Sequence, residues 1–160
     1  MKQASSKFSQ AGFKLIELLV VIAIIGLLSA LAVVSLGNIR EKARDTKRLS
    51  DISAVQTAME LVKDKNGDYK TNLGCGVKKL YLCTGGDLEG FVPSLSTMKD
   101  PLSTDTSPAC RSNCKAGCVY GFDEITKTNY AIDFYLENGA GQFEEPGCYQ
   151  LTEKGISLKE

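Results

Sequence analysis

LLVVIAIIGLLSALAVVSLG, residues 18–37, is a run of twenty residues without a charge. At about 1.5 Å of rise per helical residue it measures roughly 30 Å, the thickness of a bilayer's hydrocarbon. A soluble core helix keeps a polar face, whereas this run offers only Ser29 and Ser35. It reads as a membrane span. The preceding stretch, MKQASSKFSQAG, carries Lys2 and Lys7 and no acid, the composition of a leader's charged end.

Two ordinary readings compete with a dedicated anchor. A secretory signal peptide also has a basic start and an apolar run, and Ala30, Leu31 and Ala32 supply a small-residue cleavage site. Against it, the apolar pattern continues through Val33, Val34 and Leu36. A plain signal anchor explains the span but not the glutamate, Glu17, at its very start.

The segment GFKLIELLVVIAIIGLL, from Gly12 to Leu28, resembles the N-terminus of type IV pilins and type II secretion pseudopilins. The resemblance covers about the first third of the chain. It implies a prepilin peptidase that cuts after Gly12, N-methylation of the new N-terminus Phe13, and a role for Glu17 in assembly as the glutamate fifth after the cut. It also implies self-association into a helical filament through the N-terminal helix, with the peptidase/methyltransferase and an inner-membrane assembly machinery as partners. Two positions depart from the family: Lys14 stands where a small hydroxyl residue is usual, and the proline many pilins carry later in the helix is absent, with Gly26 left as a weak point.

Charge does not settle orientation. Lysine and arginine total 19, as do aspartate and glutamate, so the whole chain points to no nucleic acid and no acidic substrate. Lys2, Lys7 and Lys14 precede the span, while Arg40, Lys42, Arg44, Lys47 and Arg48 follow it, so the positive-inside rule leans against export of the C-terminal part. The cysteines argue the other way. Cys75, Cys83, Cys110, Cys114, Cys118 and Cys148 all fall in the second half, a density that suits disulfides in an oxidising compartment. Six cysteines allow fifteen pairings. The short excursion bracketed by Cys75 and Cys83 makes that pair the favoured one, with the other four left to pin a loop and a sheet. A zinc site is disfavoured, because close cysteine pairs and histidines are missing.

Beyond Gly37 the helical pattern continues. Leu49, Ile52, Val55, Met59 and Val62 recur at three- and four-residue steps and form an apolar stripe to bury against the chain's own C-terminal part. The mixed charges from Arg40 to Asp51 read as a solvated face with small pair energies. Asn66 and Gly67 predict a helix end near Lys65, so a helix from Phe13 would run roughly 80 Å.

The C-terminal region predicts a small antiparallel meander. TNYAIDFYLE alternates Tyr130, Ile132, Phe134 and Leu136 with Ala131, Asp133, Tyr135 and Glu137, the pattern of a half-buried strand. Further strands are expected at Cys118 to Phe122, Cys148 to Thr152 and Gly155 to Leu158, with an irregular loop before them and one helical turn at Asp87 to Phe91. The fold class is therefore α+β: a long helix, transmembrane then amphipathic, packed on a small antiparallel head with disulfide-bearing loops. The expected division is a leader at 1–12, a transmembrane and polymerisation segment at 13–37, an amphipathic continuation at 38–65 and an extracytoplasmic head at 66–160.

Catalysis finds no support, because without histidine the usual serine or cysteine arrangements cannot form. The acid pairs Glu144 with Glu145 and Asp123 with Glu124 read as surface charge. Asp100, Asp105 and Asp123 lie in oxygen-rich loops, yet their spacing fits no calcium motif. No cofactor or metal is expected. From Asn66 onward nine lysines and arginines face thirteen acids, so no nucleic-acid site is evident. The function expected is that of a structural filament subunit, held in the inner membrane with lipid as its surroundings until assembly into an extracellular or surface filament. A membrane-anchored or secreted binding module that does not polymerise, such as an adhesin head, is the alternative from another class.

Overall fold

Why one helix can serve both halves of the N-terminal region is visible in its composition: no proline interrupts residues 15–66. In the structure, a computed structural model that describes residues 14–75 and 79–159, α1 runs Leu15–Asn66 over 52 residues. Contacts divide the chain into two compact units, the first ending at Gly37 and the second Asn38–Glu160.

In the second unit the expected stripe is buried. Ile52, Val55, Met59 and Val62 are fully enclosed, and Leu49 packs at the margin of the same core. Each such side chain contributes about 1.5 to 3 kcal/mol by leaving water. The helix stops where Gly67 turns left-handed at φ 77° and donates its N–H to the Lys63 carbonyl at 2.7 Å. Asn66 fastens this end by donating from Nδ2 to Asp87 and to the Thr71 carbonyl. Asp87 opens the short α2, Asp87–Phe91, and also accepts a bond from Lys65.

The sheet is an antiparallel meander in the order β1 (Gly121–Ile125), β2 (Tyr130–Leu136), β3 (Gly147–Thr152), β4 (Gly155–Leu158). Three of the four expected strands fall where the alternation places them. The strand expected at Cys118 to Phe122 instead begins at Gly121. Val119 has already spent its N–H on the Pro108 carbonyl and its own carbonyl on the N–H of Cys110, so the chain is free to join β2 only afterwards. A bulge between Phe122 and Glu124 then shifts the register.

β2 departs from the half-buried pattern. Ala131 and Asp133 are buried along with Tyr130, Ile132, Phe134 and Leu136. Asp133 is tolerable there because Gln150 and Lys159 both donate to its carboxylate, at 2.9 and 2.6 Å. The inward side chains of β2 and β3 join the α1 stripe in one core, where Phe134 stacks on Tyr149.

Three disulfides use all six cysteines: Cys75–Cys83, Cys110–Cys118 and Cys114–Cys148. Just outside the loop closed by the first, Gly74 and Gly86 meet backbone to backbone, and a Cβ on either would collide with the other's main chain. The third fastens the middle of the Cys110–Cys118 loop to β3. Loop-closure entropy assigns about 2.5 kcal/mol to an eight-residue loop and nearly 4 kcal/mol to one of 34, so Cys114–Cys148 carries the largest share. Denatured, unreduced protein from its native compartment is expected to show no free thiols in an Ellman assay; six reactive thiols would contradict the bonded head.

Candidate functional site

The first feature that the core does not use is the N-terminal part of α1. Every described side chain from Lys14 to Leu31 is exposed, Leu15 at 81%, Ile16 at 68% and Leu28 at 60% among them. An eighteen-residue window of this helix reaches a mean hydropathy of 2.9, and by length and composition it can cross a membrane. Its backbone is satisfied internally by helix formation, the requirement hydrocarbon imposes. Ser29 meets the same requirement by donating its hydroxyl to the Ile25 carbonyl at 2.7 Å. Gly26 has open space where a Cβ would stand.

Glu17 is the one acid of this segment and sits in the first turn of α1. The helix N-terminus, where free N–H groups point outward, favours a carboxylate there. Among the described residues Glu17 takes part in no ion pair, whereas acids further along α1 do. Gly12 and Phe13, the positions the resemblance marks for cleavage and methylation, lie outside the described residues.

A second cluster was not anticipated. The charges between Arg40 and Asp51 are not simply solvated, for Asp45 and Arg48 are fully buried. Arg48 lays its guanidinium fork on Asp100, with Nη2 to Oδ1 at 3.0 Å, and also donates to Asp45 at 2.7 Å and to Glu137. Arg44 grips Glu137 with two donors, and Asp45 accepts the backbone N–H groups of Glu137 and Asn138. Glu41 completes the row by accepting from the Asn138 side chain. Glu41, Arg44, Asp45 and Arg48 thus form one helical face that clamps the end of β2 and the Asp100 loop.

The clamp's electrostatics follow from its geometry. The hydrogen bond from Arg44, and then those from Arg48, hold the Glu137 carboxyl below the ordinary range, against the opposing pull of desolvation. Burial lowers the Arg48 value, but its three acid partners more than reverse this, so its charge is permanent. One signal in the sequence pointed here. The stripe through Ile52 and Val55, continued backward by four and seven residues, arrives at Arg48 and Asp45.

The aspartates weighed as cation ligands each face a protein cation: Asp100 meets Arg48, Asp105 meets Lys99, and Asp123 meets Arg111 and Lys159. Among the described residues no group of three acids, cysteines or histidines is placed to hold a metal ion, and the three acids that do meet, Asp45, Asp100 and Glu137, are taken by Arg48. A shallow cleft of about 480 Å³ beside α1 has Lys42 and Glu144 as its only ionisable lining. Glu124 and Glu145 are exposed. No nucleophile, base and oxyanion donor meet at these positions.

Comparison with known proteins bears on the N-terminal segment first. Residues 7–33 match the family model of the prokaryotic N-terminal methylation motif, a span that contains Gly12, Phe13 and Glu17. The type II secretion system core protein G of Escherichia coli K12 is 45% identical over 103 residues, 60% of this chain and 69% of that protein. The core protein G of Aeromonas hydrophila is 43% identical over 65 residues, covering 41% of this chain and 46% of its own length. A fimbrial protein of Pseudomonas aeruginosa is 42% identical over 52 residues, 32% of this chain and 34% of that one. Apart from the Escherichia coli protein, the chain spans about half or less of the length of these relatives. No solved structure matches it.

Proposed function

The chain belongs to the family of the type II secretion system core protein G, and from that membership we propose that it is a structural subunit that polymerises through α1 after cleavage behind Gly12 and methylation of Phe13. The observation that carries this reading is the helix itself: seventeen residues, Leu15 to Leu31, are exposed on all sides, and Glu17 is the only charge among them. In water such a surface would aggregate, and among the described residues nothing covers it. Lipid covers it before assembly and the same helices of neighbouring copies cover it afterwards.

In this reading the protein is held in the membrane by α1, with the disulfide-bearing head on the oxidising side, then enters a filament and performs no catalysis. A dedicated peptidase that also methylates the new terminus, and an assembly platform in the same membrane, act on it. The relatives named for type II secretion favour a secretion filament over an adhesive one, since they match more of the chain than the fimbrial protein does.

Gly12 supplies the test of processing. A side chain at the residue before the cut obstructs a peptidase, so Gly12→Val is expected to accumulate as a membrane-held precursor that is absent from sheared filaments, read by immunoblot of sheared and membrane fractions. Normal maturation of this variant would contradict the assigned cut. Wild-type mature protein that never enters the sheared fraction would instead favour a non-polymerising anchored module.

A further inference from the structure

Five bases follow the apolar run, an arrangement that conflicts with export of the head on the positive-inside rule. The structure sorts these charges. Arg44 and Arg48 are consumed by Glu137, Asp100 and Asp45 inside the clamp. Lys47 is paired with Asp51 one helical turn away. The two acids of the same stretch, Glu41 and Asp45, are both turned into the head, where they accept from Asn138 and from the end of β2. Arg40 and Lys42 remain, both exposed and with no carboxylate within ion-pair distance among the described residues.

Their place along α1 is what gives them a partner. Arg40 and Lys42 follow Gly37, the last residue of the charge-free run, by about 4.5 and 7.5 Å at the helical rise. This is the depth at which phosphodiester headgroups lie if residues 18–37 occupy the hydrocarbon. Ile39, 58% exposed, adds apolar surface beside them suited to the upper acyl chains. Long basic side chains at such a position extend their charged ends to the headgroup layer.

From this sorting we infer that Arg40 and Lys42 form a collar that binds anionic phospholipid headgroups on the head's side of the membrane. The inference rests on the reading of α1 as a membrane span. The clamp has a part in it: it turns Glu41 and Asp45, the acids of the same stretch of α1, into the head and away from the lipid phosphate, which leaves Glu144 as the acid that shares a cleft with Lys42. The collar would hold the unassembled subunit against the surface at a fixed depth, and its lipid contacts would have to be given up on entry into a filament.

The experiment uses the full chain in detergent micelles doped with equal amounts of phosphatidylglycerol and phosphatidylcholine, with retained lipid counted by native mass spectrometry. Wild type is expected to retain the anionic lipid on the order of tenfold over the zwitterionic one. The double variant Arg40→Gln/Lys42→Gln is expected to fall to near parity. Lys70→Gln/Lys127→Gln, an equal charge change at exposed positions beside the other end of α1, is expected to keep the preference. An Arg40/Lys42 variant that keeps the wild-type ratio, or a Lys70/Lys127 variant that loses it equally, would overturn the collar. An alkaline wash of vesicles holding the wild-type chain reads the span separately. Release into the wash overturns the span, whereas retention without lipid preference overturns the collar alone.

Discussion

Replacing Arg48 with methionine is expected to destabilise the head by about 3 to 5 kcal/mol, the cost of leaving buried carboxylates without their cation. The guanidinium is fully enclosed and answers three acids at once, two of whose side chains are themselves fully buried. Without it Asp45 keeps only the backbone N–H groups of Glu137 and Asn138, and Asp100 keeps the N–H of Leu102. Because a domain of this size holds only about 5 to 15 kcal/mol in total, the loss would be plain in a urea midpoint of the full chain with its disulfides intact. Arg48→Lys keeps the charge but not the fork on Asp100, so it should fall between. Adding Asp100→Asn to Arg48→Met should recover part of the loss. A midpoint for Arg48→Met equal to wild type would mean the clamp contributes nothing to the fold.

The same cluster sets a direction with pH. Glu137 has a folded value below its ordinary one, so its stabilising contribution is complete above the ordinary carboxylate range and is lost as pH falls through the lowered folded value. Arg48 stays charged throughout and adds no titration of its own. Acid should therefore weaken wild type more than Glu137→Gln.

What could be read in advance divides along physical lines. Local periodicity located α1, its end at Asn66 and Gly67, the turn of α2 and three of four strands, because those depend on neighbours a few residues apart. It placed β2 correctly but made it half-buried, since alternation cannot show that Lys159 returns from the chain's end to neutralise Asp133. It missed the clamp for the same reason: two of the three acid partners of Arg48 lie 52 and 89 residues away, and a charge on a helix looks solvated until its distant partners are known. The start of β1 was misplaced because the disulfide loop, not β propensity, decides when the backbone is free. Glu17 was legible only through family resemblance. Among the described residues it has no ion-pair partner, and the proposed reading gives it one in a neighbouring copy.

That partner is the subject of the second prediction. Glu17→Ala is expected to insert and mature normally, since removal of a charge makes the segment more apolar, yet to enter filaments many-fold less often than wild type. A carboxylate drawn into an apolar helix bundle costs about 2.5 to 3.5 kcal/mol on insertion scales, and something must offset it. Cleavage after Gly12 would create the needed cation, the amine of Phe13, in a neighbouring copy. The pair would form only at the correct axial offset, so it would set the register of addition as well as reduce the desolvation cost. The ratio of filament-sheared to membrane-retained mature protein measures this, and equal ratios for the variant and wild type would remove Glu17 from assembly.

The central claim, that this chain is a processed subunit joined to its copies through α1, is tested most directly by intact mass and N-terminal sequencing of the protein recovered from sheared filaments. The account predicts a chain that begins at Phe13, carries one added methyl group and retains three disulfides. Protein in that fraction beginning at Met1, or a sheared fraction empty of this chain while a product beginning at Val33 is secreted, would contradict it.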